Sequence, residues 1–124
     1  MPIAYWCVLI AALLPLAFVG YAKAGSRDNN TPRDAAAGLS GARHRAHAAH
    51  QNGYENFPFF AAAVIIAITQ GTSISTVNSF AMAYLVLRVV HGLLYIADQA
   101  TLRSAAYGIA LIVNIAIFVL PAFR

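Results

Sequence analysis

The segment Arg43 to Phe59, RHRAHAAHQNGYENFPF, decides how this chain is read. It holds two arginines, three histidines, a glutamine, two asparagines and a glutamate, and it runs without a break into the apolar stretch Phe59 to Ile68. A polar helix face that continues into a membrane span is costly, so these side chains need either partners or a chemical task.

The rest of the chain supplies the membrane. Of 124 residues, 60% are hydrophobic and only 10% charged, against roughly a quarter charged in a soluble domain. Such a deficit means that apolar surface faces lipid. The net charge of +4 is dispersed rather than gathered into one soluble patch. It therefore reads as a topology signal and argues against a nucleic-acid partner. Cys7 is the single cysteine and lies in an apolar run, which excludes a disulfide framework and a cysteine metal site. The length suits one domain over residues 1–124.

Hydropathy and turn formers predict an all-α protein with four helices, over about residues 3–21, 42–69, 76–97 and 102–120. Ala22-Lys23-Ala24 has the look of a signal cleavage site, but no Lys or Arg precedes the apolar run and that run is long for a signal, so it reads as a retained helix. Lys23 to Gly41 reads as a loop with a short helical piece around Asp34 to Ala37. In the second helix only the part from about Ala48 is apolar enough for the bilayer, and Pro58 predicts a bend by removing an amide. Short links between the later helices imply an up-down-up-down bundle. Lys23, Arg27, Arg33, Arg43 and Arg45 in and after the first loop, with Arg103 after the third, predict that those loops face the cytoplasm and both termini lie outside. Arg124 dissents.

That order of helices brings three polar clusters to one level: Arg45 to Glu55, Arg88 to Tyr95, and Arg103 to Tyr107. Arg45, Asn52 and Glu55 share one side of the second helix, and Arg88, His91 and Tyr95 form a stripe on the third. Glu55 lies ~15 Å beyond Arg45, and Arg88 about as far above Asp98. Matching depth predicts a buried Glu55–Arg88 ion pair supported by Asn52. Polar residues in membrane bundles also serve simply as interhelical glue, the favoured reading for Asn78 and Asn114. For Tyr95, Arg103, Ser104 and Tyr107 the plain alternatives are interface anchoring and helix capping. His44, His47 and His50 recur every third residue, so their rings drift around the helix rather than converge. No metal site is expected from them.

The segment R-A-H-x-x-H-x-N-x-x-E-N-x-P-F from Arg45 to Phe59 resembles the second-helix motif of the MAPEG superfamily, the membrane-associated proteins in eicosanoid and glutathione metabolism. Arg88 to Asp98, R-V-V-H-G-L-L-Y-I-A-D, and Leu102 to Tyr107, L-R-S-A-A-Y, are similar to the third- and fourth-helix motifs of its glutathione-using prostaglandin E synthase branch. The wording of the chain looks closest to small bacterial members. The resemblance implies a homotrimer of four-helix protomers in the bacterial inner membrane, with glutathione bound between neighbours on the cytoplasmic side. It carries cofactor contacts to Asn52, Glu55, His91, Tyr95 and Tyr107, and thiol activation to Arg103 or Ser104. Arg88 joins them from the shared polar layer. Where glutathione-using members carry an arginine four residues before the motif asparagine, and in some also directly before it, this chain has Ala48 and Gln51. Arg45, one turn earlier, or Arg43 is the available substitute.

Two functions follow as expectations. One is a glutathione-dependent transferase or peroxidase acting on a hydrophobic electrophile that arrives through lipid. The other is a non-catalytic membrane module that binds lipid or a protein, with the polar layer kept as glue. A transporter is disfavoured, since four short helices offer no broken-helix pair.

Overall fold

In a computed structural model, residues 1–24 and 40–123 are described, and all secondary structure among them is helical. The helices are α1 (Ile3–Lys23), α2 (Gly41–Thr69), α3 (Ile74–Ile96) and α4 (Ala100–Val119), the last continuing into a 3₁₀ turn over Leu120–Phe123. The helical piece expected around Asp34 to Ala37, and Arg27, Arg33 and Arg124 of the charge count, lie outside the described residues.

Three stretches are long and apolar enough to cross a membrane: Ile3–Lys23, Ile74–Ile96 and Ala100–Phe123. α2 is not among them, because the polar residues from Arg43 to Asn56 fill its first half. Pro15 and Pro58 sit inside unbroken helices. α2 and α3 are central, each packed against the other three helices; α1 and α4 flank them.

Small residues let the helices come close, as lipid-embedded bundles require. α1 buries Ala4, Cys7, Ala11, Pro15, Phe18 and Ala22, whose spacing of three and four draws one stripe along the helix. Its Ala4, Cys7 and Ala11 share an alanine-rich core with Ala63 and Ala67 on α2 and Val77 and Ala81 on α3. The bulk of that core is Phe60, stacked on Tyr84 with ring centroids 4.1 Å apart. Most of the exposed large side chains are apolar, among them Leu9, Leu13, Leu16, Ile65, Val86, Ile109 and Ile112. That is the surface a bilayer solvates.

Two close approaches depend on glycine. A Cβ on Gly53 would lie 2.8 Å from Cγ of Pro15, and one on Gly92 would lie 2.0 Å from Cζ of Phe18. Both place α1 against the polar half of the bundle.

Polar side chains tie the helix ends. Asn78 accepts the amide of Ala4 at 2.8 Å, satisfying one of the orphan donors of the first turn of α1. Asn78 is thus interhelical glue, as expected. Arg45 Nε donates to the carbonyl of Ile96 at 2.9 Å, and Arg43 bonds the Tyr21 carbonyl while its guanidinium lies 4.6 Å from that ring. The start of α2 therefore sits beside the ends of both α1 and α3. α2 closes in a Schellman turn: Thr72 donates to Ala67 and Gly71, at φ 86°, to Ile68. α3 closes the same way, with Gln99 to Leu94 and Asp98 to Tyr95, although Asp98 takes the left-handed position at φ 60°. Glycine is the usual occupant there, and Asp is among the side chains that tolerate it.

Candidate functional site

A hydrogen-bonded chain links α3, α2 and α4 at the end of the bundle where α3 finishes and α4 begins. Arg88, only 7% exposed, donates Nη2 to Oδ1 of Asn52 at 2.6 Å. One turn further on α2, Asn56 gives its Nδ2 to the Asn52 carbonyl at 2.9 Å and approaches Asn52 Oδ1 at 3.4 Å. Its own Oδ1 accepts the hydroxyl of Tyr107 on α4 at 3.3 Å. The i, i+4 spacing of Asn52 and Asn56 puts both amides on one face of α2. That spacing was visible in the motif, yet Asn56 is the member that sequence reasoning did not single out.

Aromatic packing completes the cluster. His91, 2% exposed, has its ring centroid 5.8 Å from that of Tyr95 and 5.9 Å from that of Tyr107. The guanidinium of Arg103 lies 4.4 Å from the Tyr95 centroid, a cation–π placement that steadies a long side chain at the start of α4. Arg103 therefore keeps most of its five N–H donors for a ligand.

The structure thus brings Asn52, Arg88, His91, Tyr95, Arg103 and Tyr107 together within one chain. Arg45 is near, with its Nε committed to Ile96. Glu55 and Ser104 are exposed, so neither takes part in the internal network. The expected Glu55–Arg88 ion pair is corrected accordingly. Arg88 turns inward to Asn52, while Glu55, three positions after Asn52, lies a sixth of a turn away on the outer surface. Depth along a helix matched them; azimuth did not.

That geometry makes opposite predictions for neighbouring residues. Asn52→Ala should lower unfolding stability in detergent by about 1.5–3 kcal/mol, because a buried guanidinium loses its acceptor. Glu55→Gln should leave thermal stability unchanged. A denaturation series on both variants checks this, and a large loss for Glu55→Gln would restore the ion pair.

Of the α2 histidines, His47 and His50 lie with ring centroids 5.8 Å apart. His44 is exposed, whereas the Nδ1 of His50 lies 3.1 Å from the Pro15 carbonyl and its ring meets Tyr54 edge-on at 4.8 Å. Among the described residues no three of His, Cys, Asp and Glu gather as metal ligands would.

Electrostatically the site is cationic. Arg45, Arg88 and Arg103 stand around it, and the two described acids, Glu55 and Asp98, are both exposed. With hydroxyl donors at Tyr107 and Ser104 and the amino end of α4, this set suits a polar ligand carrying negative charge.

The sequence profile of the MAPEG family matches residues 3–123, nearly the whole chain. No curated protein and no solved structure matches.

Proposed function

The chain belongs to the MAPEG family of membrane proteins, and on that footing we propose that it is a glutathione-dependent transferase or peroxidase acting on hydrophobic electrophiles. The observation that carries the reading is the cationic cluster at the start of α4, where Arg103 lies on Tyr95 beside His91 and Tyr107.

The residues fit the cofactor in kind. Glutathione supplies a nucleophilic sulfur, whose free pKa near ~8.5 leaves most of it protonated at neutral pH. Arg103, with the amino end of α4, favours the anion, and Ser104 offers a hydroxyl donor beside it. Asn52 and Tyr107 present amide and hydroxyl groups for the peptide, Glu55 an acceptor for its ammonium, and Arg45 a guanidinium for a carboxylate. Arg88 and His91 form the inner wall of this site. Because Glu55 and Ser104 are exposed on the protomer, a homotrimer with the site between neighbours would cover them and complete the binding surface.

The end-to-end contacts support an up-down-up-down bundle: Arg45 with Ile96, Arg43 with Tyr21, and Asn56 with Tyr107. With the positive-inside rule they favour both termini outside and the site facing the cytoplasm, in a bacterial inner membrane. Electrophiles would then enter from lipid while the polar cofactor comes from water.

A second reading has an observation of its own. Ala48 and Gln51 occupy the positions of the expected arginines, and Arg88, Asn52, Asn56 and Tyr107 are hydrogen-bonded in one chain. Both facts suit a non-catalytic module for lipid or a partner protein. A thermal-shift titration of the detergent-purified protein with glutathione and S-alkyl glutathiones separates the two readings. Saturable stabilisation is expected; none at millimolar ligand would remove the glutathione reading.

A further inference from the structure

The hydrogen-bonded chain through the polar layer has a direction, and Arg88 sets it. A guanidinium has donors and no acceptor, so the atom 2.6 Å from Arg88 Nη2 has to be the side-chain oxygen of Asn52. Asn56 then meets two acceptors on Asn52, the main-chain carbonyl at 2.9 Å and Oδ1 at 3.4 Å. Only its Nδ2 can answer them. A planar amide that turns Nδ2 to one side turns Oδ1 to the other, and that oxygen lies 3.3 Å from the Tyr107 hydroxyl.

A phenol has a single proton. Counted by type, Tyr107 is a donor; in place, its proton belongs to Asn56, because the reverse orientation would set lone pairs on two oxygens against each other across 3.3 Å. What Tyr107 has left for any other partner is lone pairs. The residue is half-buried, so a ligand at the start of α4 can reach this hydroxyl while its proton is held by α2.

Resting on the glutathione reading, we infer that Asn56 is a positioning residue that makes Tyr107 a hydrogen-bond acceptor, so that Tyr107 recognises a peptide N–H of glutathione and neither its carboxylates nor its sulfur. The anionic groups are left to Arg103, Ser104 and Arg45.

Three ligands test this by calorimetry in detergent: S-methyl glutathione and two analogues in which an ester oxygen replaces one or the other peptide N–H. An ester oxygen facing an acceptor loses the bond and adds a repulsion, so the wild-type protein should bind one analogue about tenfold or more weakly than the parent. In Tyr107→Phe that ratio should shrink to near unity. In Asn56→Leu the hydroxyl remains but is free to turn its proton to the ligand, and the ratio should shrink as well. A purely structural role for Asn56 would weaken all three ligands together and leave the ratio unchanged. Equal wild-type binding of the three overturns the proposal, as does a ratio that survives in either variant. Should Asn56→Leu fail to fold, Asn56→Ala makes the same comparison. Absence of binding by all three removes the glutathione reading itself and this assignment with it, so the two failures are told apart.

Discussion

Gly92→Leu is expected to unseat α1 from the bundle. Even the first added carbon meets the Phe18 ring, with Cζ at 2.0 Å and Cε2 at 2.5 Å. Phe18 is itself 9% exposed, so the ring has little room to swing aside. Gly92→Ala alone should cost about 1–3 kcal/mol, the usual penalty for overpacking. The gain of about 0.5–1 kcal/mol from replacing glycine by alanine in a helix offsets part of this. Gly92→Leu adds three further carbons in the same direction, so its loss should exceed the upper end of that range. A thermal or denaturant series in detergent measures both variants. Phe18→Ala combined with Gly92→Leu moves the volume from one helix to the other, and should recover much of the stability that Gly92→Leu loses. If the double variant were as unstable as the sum of the singles, the contact between α1 and α3 would not be the cause.

The largest effect on chemistry is expected at Arg103. Under the proposed function, Arg103→Ala should reduce glutathione-dependent turnover of a model electrophile by about 10²-fold, the loss typical when one preorganised donor to a developing anion is removed. The same substitution should scarcely alter thermal stability, because Arg103 is half-buried and its recorded contact is the face of Tyr95. Tyr95→Leu should lower turnover less, since it removes the support and keeps the guanidinium. Ser104→Ala is the comparison, its hydroxyl being exposed in the protomer. Loss confined to Ser104→Ala would make the hydroxyl the activator, and full turnover in both variants would refute thiol activation at this helix start. The kcat values at saturating glutathione, with binding measured separately, distinguish activation from affinity.

Much of the architecture could be read before any coordinates. Apolar runs broken by Gly25, Pro32, Gly71 and Asp98 give the number of helices, since turn formers end what hydropathy begins. The polar layer was legible as well, because helix rise is fixed: Asn52, Arg88, His91 and Tyr107 can be placed at one level by counting residues. Asn78 could be read as glue, though its use, holding the first turn of α1, could not.

What only the tertiary structure decided is direction around each helix. Periodicity relates residues on one helix to each other; it does not say which face meets a neighbour. Glu55 and Asn52 are three residues apart, and packing alone sends Asn52 to Arg88 and leaves Glu55 outside. Asn56 became a link to Tyr107 for the same reason. Gly53 and Gly92 look like tolerated flaws in their helices until Pro15 and Phe18 are seen against them. The motifs from Arg43 to Phe59, Arg88 to Asp98 and Leu102 to Tyr107 together pointed to the family, and counting residues along their helices set the level at which polar chemistry is held. Which of the side chains from Arg43 to Phe59 face the bundle emerged only when α1, α2 and α3 closed together, since helix azimuth is set by contacts between residues far apart in the chain.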